Sequence, residues 1–477
     1  MSVGGDNGVA VLPDFGKHVI GCGDRRVALV VVGQGNAGFQ FGDDVADAVQ
    51  EIDRVRESVG QQANGQAVGT ADLDAQCVRA GLCCHLSPRV VKLDHVTVSF
   101  FGCWHQGYLT SYTRRIGNCL EGETMAPIPQ GGTVAVTGAA GFIGGWVVRR
   151  LLERGYRVRA CVRDTENEDR VGFLKAMPGY ASGRLTLHAA DLDNDGCFDD
   201  IFKGCQGVAH VSHVSSYTDH EYVQRVCDHV IKSVNESGSV NRVIVTSSVA
   251  AVFSEMDLNE LVRRPVLYED RFPDEMNPRR TAESQGYSMG KVIAERAFAE
   301  AAAENGTWDA ITCCPADNVG PIQSKHQKDM GPWQHHIEGM LEGKYEQSWV
   351  YRPWMPVDVR DDADAHIGLL ESTGVKNGER YIAWSAEAWD VEDICAAIDQ
   401  VLPELKHDTR PATEVHPEKL QGREQQYRNI WSQVDLRNDR IQAVTDVTFR
   451  PFEESLRDCV ESLITVAGTT VVQRESE

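Results

Sequence analysis

A tyrosine with a lysine four residues further on can do chemistry. In QGYSMGKVIAERAFAEAAAENG, Tyr287 and Lys291 lie about one helical turn apart and project from the same face. An ammonium beside a phenol stabilises the phenolate, so the phenol gives up its proton more readily near neutral pH. Tyr287 is the only one of the twelve tyrosines with lysine at that spacing. A proton donor of this kind needs a hydroxyl that holds the oxygen receiving the proton. VTSSVAAV supplies Thr246, Ser247 and Ser248 just past an apolar strand; Ser248 is the candidate, with Ser247 as the alternate. The bland readings are a surface helix pair and an ordinary serine helix cap. Nucleophilic hydrolysis fits poorly, because the serines do not stand in G-x-S-x-G.

A second constellation lies upstream. VTGAAGFIGGWVV carries Gly138, Gly141 and Gly144 as G-x-x-G-x-x-G between a strand and a helix. The first glycine permits a tight turn and the second lets backbone approach a pyrophosphate, while the helix N-terminus offers free N–H groups and a positive dipole end. The end of the next strand then reads the adenosine ribose: an acid accepts from a free 2′-hydroxyl, an arginine accommodates a 2′-phosphate. CVRD places Arg163 there, Asp164 beside it and Arg170 seven residues after Arg163. Two guanidinium groups favour NADP(H); Asp164 keeps NAD(H) possible. ADLD closes a third strand, where Asp191 and Leu192 would meet the adenine edge and face.

The elements that must position these groups alternate from Thr133 onward. TVAVT, RVRACV, RLTLHAA, GVAHVS, RVIVTS and WDAITCCP read as six buried strands, with helical or polar segments between them such as FIGGWVVRRLLERG. That order builds a parallel sheet covered by helices on both faces, and right-handed crossovers lead to a doubly wound α/β fold. The 477 residues leave room for one large or two moderate domains. A net charge of −23 argues against nucleic acid as a partner. No apolar run is long enough for a signal core or a membrane span, so the expectation is a cytoplasmic protein with free thiols and no membrane partner.

Together these segments resemble the extended short-chain dehydrogenase/reductase superfamily, in the branch of dihydroflavonol reductases, cinnamoyl-CoA reductases and fungal aldehyde or ketone reductases. The resemblance runs from Met125 to the C-terminus through VTGAAGFIG, YRVRACVRD, RLTLHAADL, FKGCQGVAHVS, RVIVTSSVAAV, YSMGK, PADNVGP, PVDVRDDADAHI, GERYIA and RPFEESLRDCVESL. It implies an NAD(P)-binding Rossmann domain over 125–320 and a smaller, mainly substrate-binding part over 321–477, some of whose segments return to the sheet. It also implies site roles. Ser248 polarises a carbonyl, Tyr287 donates the proton, and Lys291 assists Tyr287 and binds the nicotinamide ribose. Gly138, Ala140, Gly141, Phe142, Ile143 and Gly144 surround the pyrophosphate, Arg163 and Arg170 the 2′-phosphate, Asp191 and Leu192 the adenine, and Pro315 the nicotinamide. The implied reaction is hydride transfer from NADPH to an aldehyde or ketone, by a monomer or homodimer without a metal. The alternatives are a nucleotide-sugar epimerase or 3-beta-hydroxysteroid dehydrogenase on the same fold, and, in another class, a non-catalytic dinucleotide sensor or scaffold.

Three features depart from that pattern. DHEYVQRVCDHVIKSV lacks the family's N-x-x-G-T-x-N-like stretch and is shorter, which is expected to loosen the cofactor floor or mark a deletion. His213 in VSH makes a pocket wall more polar. Residues 1–124 have no family counterpart and are expected to be a poorly ordered appendage or a gene-model artefact. Within them Gly33, Gly35 and Gly38 spell a weak G-x-G-x-x-G, Asp43 to Val59 reads as a helix, and Cys77, Cys83, Cys84, His85, Cys103 and His105 lack paired metal spacing. Beyond PADNVGP, Trp333, Tyr345, Trp349, Tyr351 and Trp354, with His326, His335 and His336 nearby, read as a mostly apolar lid, each aromatic more readily core than pocket.

Overall fold

A computed structural model describes residues 125–471 apart from 255–256, 271–281, 346–352 and 402–423, together with five short strands in the first 124 residues. The chain separates into two units, Met1–Glu121 and Gly122–Glu477. In the first, Val9–Val11, Lys17–Gly21 and Ala28–Val32 form an antiparallel sheet, and Arg89–Leu93 and Val96–Phe100 a hairpin. Alternation does not reveal these strands, which are short and interrupted by glycine and charge. The apolar run before Gly33 is thus an antiparallel strand, whereas a dinucleotide fingerprint opens a parallel β–α–β unit. The three glycines, the Asp43–Val59 segment and the Cys/His set lie outside the described residues.

The second unit is built on seven strands, β1 (Thr133–Thr137), β2 (Arg157–Val162), β3 (Leu185–Ala189), β4 (Gly207–His210), β5 (Arg242–Thr246), β6 (Asp309–Pro315) and β7 (Arg380–Ala383). They pair in parallel in the order β3-β2-β1-β4-β5-β6-β7. The order reverses between β1 and β4, and a crevice opens at such a switch point. The seventh strand, not among the six expected, comes from GERYIA, whose four-residue strand is too short to show a periodicity.

Alternate residues of each strand feed opposite layers. Val134 and Val136 enter one core with Leu151 of α1 (Phe142–Glu153) and Leu369 of α5 (Val359–Glu371). Ala135 enters the other, with Val226 of α3 (His220–Ser237) and Phe298 of α4 (Ala282–Asn305). Burial on both faces is why the strands read as continuous apolar runs. The stretch that lacks the family pattern is an unbroken eighteen-residue helix, α3, started by the Asp219 carboxylate accepting from Tyr222 N at 2.9 Å and ended by Gly238 at φ +62°. Apolar side chains at three- and four-residue spacing, Val223, Val226, Val230 and Val234, suffice to seat it.

One buried cation ties the sheet together at its far end. Arg242 holds Asp309 through two hydrogen bonds of 2.8 and 3.0 Å and donates to the carbonyls of Leu369, Ser372 and Met125. The paired geometry compensates a charge that would otherwise be costly to bury. Among the described residues no helix is long and apolar enough to cross a membrane, and the eight described cysteines are free.

Candidate active site

The strand C-termini border a cleft of about 1200 Å³. Its lining includes each of the residues singled out above as a candidate for chemistry or cofactor: Gly138, Ala140, Gly141, Phe142, Ile143, Gly144, Arg163, Arg170, Asp191, Leu192, Ser248, Tyr287, Lys291 and Pro315.

The glycine turn owes its shape to close approaches. Gly138 has φ +66°, and a Cβ there would lie 3.0 Å from the Cα of Ser212, in the loop after β4. A Cβ on Gly144 would sit 2.3 Å from the Gly138 carbonyl oxygen, so the turn folds directly onto the first turn of α1. That turn carries no acidic residue and starts from an extended Gly141, leaving its N–H groups and dipole toward the cleft. Thr137 fixes the neighbouring loop: its hydroxyl accepts from Val211 N and Ser212 N at 3.1 and 3.2 Å and lies 3.0 Å from His210 Nδ1. With both lone pairs taken, the hydroxyl proton goes to Nδ1, which assigns the Nε2–H tautomer to His210.

At the ribose end, Arg163 follows β2 and Arg170 stands on α2 (Glu168–Lys175), both exposed on the cleft. The Asp164 carboxylate is engaged in its own turn, accepting from Glu166 N at 2.8 Å. Asp191 likewise accepts from Asp193 N at 3.1 Å, while Leu192 is buried.

Tyr287 and Lys291 leave α4 on the side of β5. Lys291 is 7% exposed and donates to the Thr246 carbonyl at 2.9 Å; Tyr287, 42% exposed, stands in the cleft with its ring centroid 5.9 Å from the Lys291 Nζ. Burial alone would lower the ammonium's pKa, but the phenols of Tyr217 and Tyr287 and the Glu295 carboxylate outweigh it and raise it. The surroundings thus favour the protonated lysine although it is buried.

The two serines part company. Ser247 is buried and donates to Glu295, so its hydroxyl is turned into the protein. Ser248 is half-buried on the cleft, and its Oγ accepts from Ala250 N at 3.2 Å, so it caps the short helix Val249–Val252 and faces the cleft at once. Behind β5, the Thr246 hydroxyl lies 2.7 Å from His366 Nε2, and His366 Nδ1 lies 2.7 Å from the Asp362 carbonyl oxygen and 3.2 Å from its carboxylate. Burial lowers the pKa of His366, yet Asp362 reverses this and holds it raised.

Several cleft residues carry no spacing signal that would point to them. His326, on a short 3-10 helix, lies 2.8 Å from the Ala140 carbonyl oxygen, and its neighbour Gln327 donates to the Gly141 carbonyl at 3.1 Å. The segment thereby covers the glycine turn. Behind the lining, the buried Tyr217, in the loop after β4, lies against Lys291. Of the aromatics read as a lid, Trp333 lines the cleft. Tyr345 and Trp354 are buried and pack with His336 and Trp333, so they are core. Trp349 and Tyr351 lie outside the described residues. His213 does line the cleft; burial first, then Lys291, lower its pKa, so it is a neutral polar wall.

Known proteins resemble the chain over the same stretch. The model of the NAD dependent epimerase/dehydratase family matches residues 134–383. Dihydroflavonol 4-reductase of Zea mays is 32% identical over 290 residues, 59% of this chain and 78% of that protein. Tetraketide alpha-pyrone reductase 1 of Arabidopsis thaliana is 30% identical over 346 residues, 70% of this chain and 95% of that one. Among solved structures, yeast methylglyoxal/isovaleraldehyde reductase Gre2 complexed with NADPH superposes with a TM-score of 0.55 at 20% identity, covering 71% of this chain and 99% of that one. At that identity the likeness speaks for the fold alone.

Proposed function

The chain belongs to the NAD dependent epimerase/dehydratase family, in the dihydroflavonol-reductase-like branch of the extended short-chain dehydrogenase/reductases, and on that premise we propose that it reduces small-molecule aldehydes or ketones with NADPH. The observation that carries the reading is the meeting of Ser248, Tyr287 and Lys291 in the same cleft as the glycine turn.

The residues present fit a dinucleotide. Gly138 and Gly144 let the turn fold tightly between the loop after β4 and the first turn of α1, and the α1 N-terminus is free of acid. Arg163 and Arg170, both exposed on the cleft, favour a 2′-phosphate. Both relatives named above are reductases, and the yeast structure is an NADPH complex. NADPH, when bound, supplies the hydride. The protein's own part is positional and acid–base. Ser248 holds the substrate carbonyl oxygen in reach of Tyr287, whose hydroxyl proton passes to that oxygen as negative charge develops on it. Lys291 stabilises the phenolate left behind, and its burial keeps the charge close to undiluted by solvent. Pro315 and Trp333 bound the apolar side of the cleft.

The test is NADPH oxidation by the full chain against a panel of aldehydes, ketones and hydroxycinnamoyl thioesters. Carbonyl-dependent oxidation of NADPH, faster than that of NADH, is the expected outcome. Turnover of a UDP-sugar with no carbonyl-dependent oxidation would overturn the reading in favour of an epimerase.

A further inference from the structure

The glycine turn is held from outside its own strand–helix unit. His326 Nε2 lies 2.8 Å from the Ala140 carbonyl oxygen and Gln327 Nε2 donates to the Gly141 carbonyl at 3.1 Å, each from 186 residues further along the chain. Both side chains leave the 3-10 helix Lys325–Asp329, and both are fixed at their other end too. A carbonyl oxygen can only accept, so Nε2 of His326 carries the hydrogen, while Nδ1 lies 3.0 Å from Ser324 Oγ. Gln327 is fully buried and its Oε1 accepts from Gln323 N at 2.8 Å, which sets the sense of the amide. Gly145 on α1 makes the approach possible: a Cβ there would lie 3.0 Å from Gln327 Nε2 and 3.0 Å from the Phe173 ring.

Holding those two carbonyls sets the direction of the N–H groups that follow them. In a trans peptide the C=O and the next N–H point to opposite sides. With the Ala140 carbonyl drawn to His326, the Gly141 N–H turns the other way and donates to the Gly138 carbonyl at 2.9 Å, which closes the turn. The Gly141 carbonyl accepts from Gln327 and from Gly145 N, the latter at 2.9 Å, and so faces along α1. The Phe142 N–H must then point back from the helix, as the first of the donors that a helix N-terminus leaves without an intrahelical partner. No side chain caps that end.

We propose that His326 and Gln327 are positioning residues for the dinucleotide: they clasp the carbonyls of Ala140 and Gly141 and so preset the glycine turn and the α1 N-terminus for a pyrophosphate. The proposal rests on the dinucleotide reading of the cleft. Both ring nitrogens of His326 and both ends of the Gln327 amide meet protein groups, so what the two residues offer a dinucleotide is the shape of the turn. A turn that is already in its binding shape costs less to order when the ligand arrives. The pyrophosphate is common to NADPH and NADH, so the clasp serves both alike, whereas Arg163 and Arg170 are proposed to act on the 2′-phosphate alone.

The experiment measures the Kd of NADPH and of NADH by quenching of tryptophan fluorescence, and kcat for carbonyl reduction, in the full chain as wild type, His326→Phe, His326→Gln and Gln327→Glu. His326→Phe keeps a ring against Phe173 and loses the donor; His326→Gln returns an N–H near the place of Nε2. Gln327→Glu keeps the acceptor for Gln323 N and loses the donor to Gly141. His326→Phe and Gln327→Glu should raise Kd about three- to tenfold, by the same factor for both dinucleotides, as expected for one lost hydrogen bond each. His326→Gln should stay within about twofold of wild type, and kcat at saturating NADPH should hold within about twofold throughout. His326 is only half-buried, so its two variants decide the matter even where Gln327→Glu lowers the thermal midpoint. An unchanged Kd in His326→Phe, a loss confined to NADPH, a kcat that falls as far as Kd rises, or a His326→Gln as weak as His326→Phe would overturn the inference. A wild-type chain that binds neither dinucleotide would instead overturn the parent reading.

Discussion

Lys291 shows how far one residue's role follows from spacing and where contact takes over. The four-residue step from Tyr287 is a property of the chain, so that pair is legible in the sequence by itself. Tyr217 is not, because it reaches Lys291 from a loop seventy-four residues away and no period connects them. Position alone favours Ser248 over Ser247; burial then separates them, since Ser247 spends its hydroxyl on Glu295. Arg163 and Arg170 come from the same kind of reading, and their removal tests it. Arg163→Ala and Arg170→Ala should each raise the KM for NADPH by about tenfold while leaving that for NADH nearly unchanged, since only a 2′-phosphate can form a charge-assisted pair with these guanidinium groups. Steady-state kinetics with both dinucleotides checks this, and equal effects on the two would point to a general weakening of binding.

At the scale of elements, the glycine turn and the end of β4 make the sharper statements. A Cβ at position 144 would meet backbone, which cannot give way as a flexible side chain can, so Gly144→Ala should destabilise the fold by about 1–3 kcal/mol and weaken dinucleotide binding. Gly172 on α2 is the control: its Cβ would meet Glu168 Oε2 at an ordinary 3.4 Å, and Gly172→Ala should be neutral or stabilising by up to about 1 kcal/mol in denaturant melts. His210 gives a pH dependence. Burial foremost, with Lys291 adding to it, lowers its pKa to about 3, while an unfolded histidine titrates near about 6.5. Between these values the unfolded chain takes up a proton that the fold refuses, so stability drops as pH falls through that window. His366 runs the other way: its raised pKa contributes stability below the unfolded value that is lost as pH rises through the folded one. His210→Asn should therefore flatten the fall in thermal midpoint between about pH 7 and about pH 4; an unaltered slope would mean that other groups govern it. The strands of this layer are legible as apolar runs because both faces are covered. The short β7 and the 3-10 segment carrying His326 are not, since four or five residues show no period and their placement is decided by packing.

On the scale of the whole chain, the two units differ in how much of each can be read from residue order. From Met125 on, alternation, glycine spacing and the Tyr–Lys step agree with one another, and the seven-stranded sheet lies wholly within Gly122–Glu477. The sequence of the first 124 residues shows no such agreement, and they carry ten Lys and Arg against fourteen Asp and Glu, so most of the −23 charge belongs to the second unit. Against that acidity, Arg163 and Arg170 are the groups proposed as phosphate contacts. A chain beginning at Met125 should keep the circular dichroism of a helix-covered sheet and the NADPH-dependent activity of the full chain within about twofold, because none of the residues proposed for the site lies before it. Everything proposed for the cleft depends on one step, the protonation of a carbonyl oxygen by the Tyr287 phenol as NADPH reduces the carbonyl carbon. The decisive comparison is carbonyl-dependent NADPH oxidation by the full chain and by its Tyr287→Phe variant, with binding of NADPH followed in parallel. Turnover should drop by about 10²-fold or more while NADPH still binds; unchanged turnover in Tyr287→Phe would refute the step.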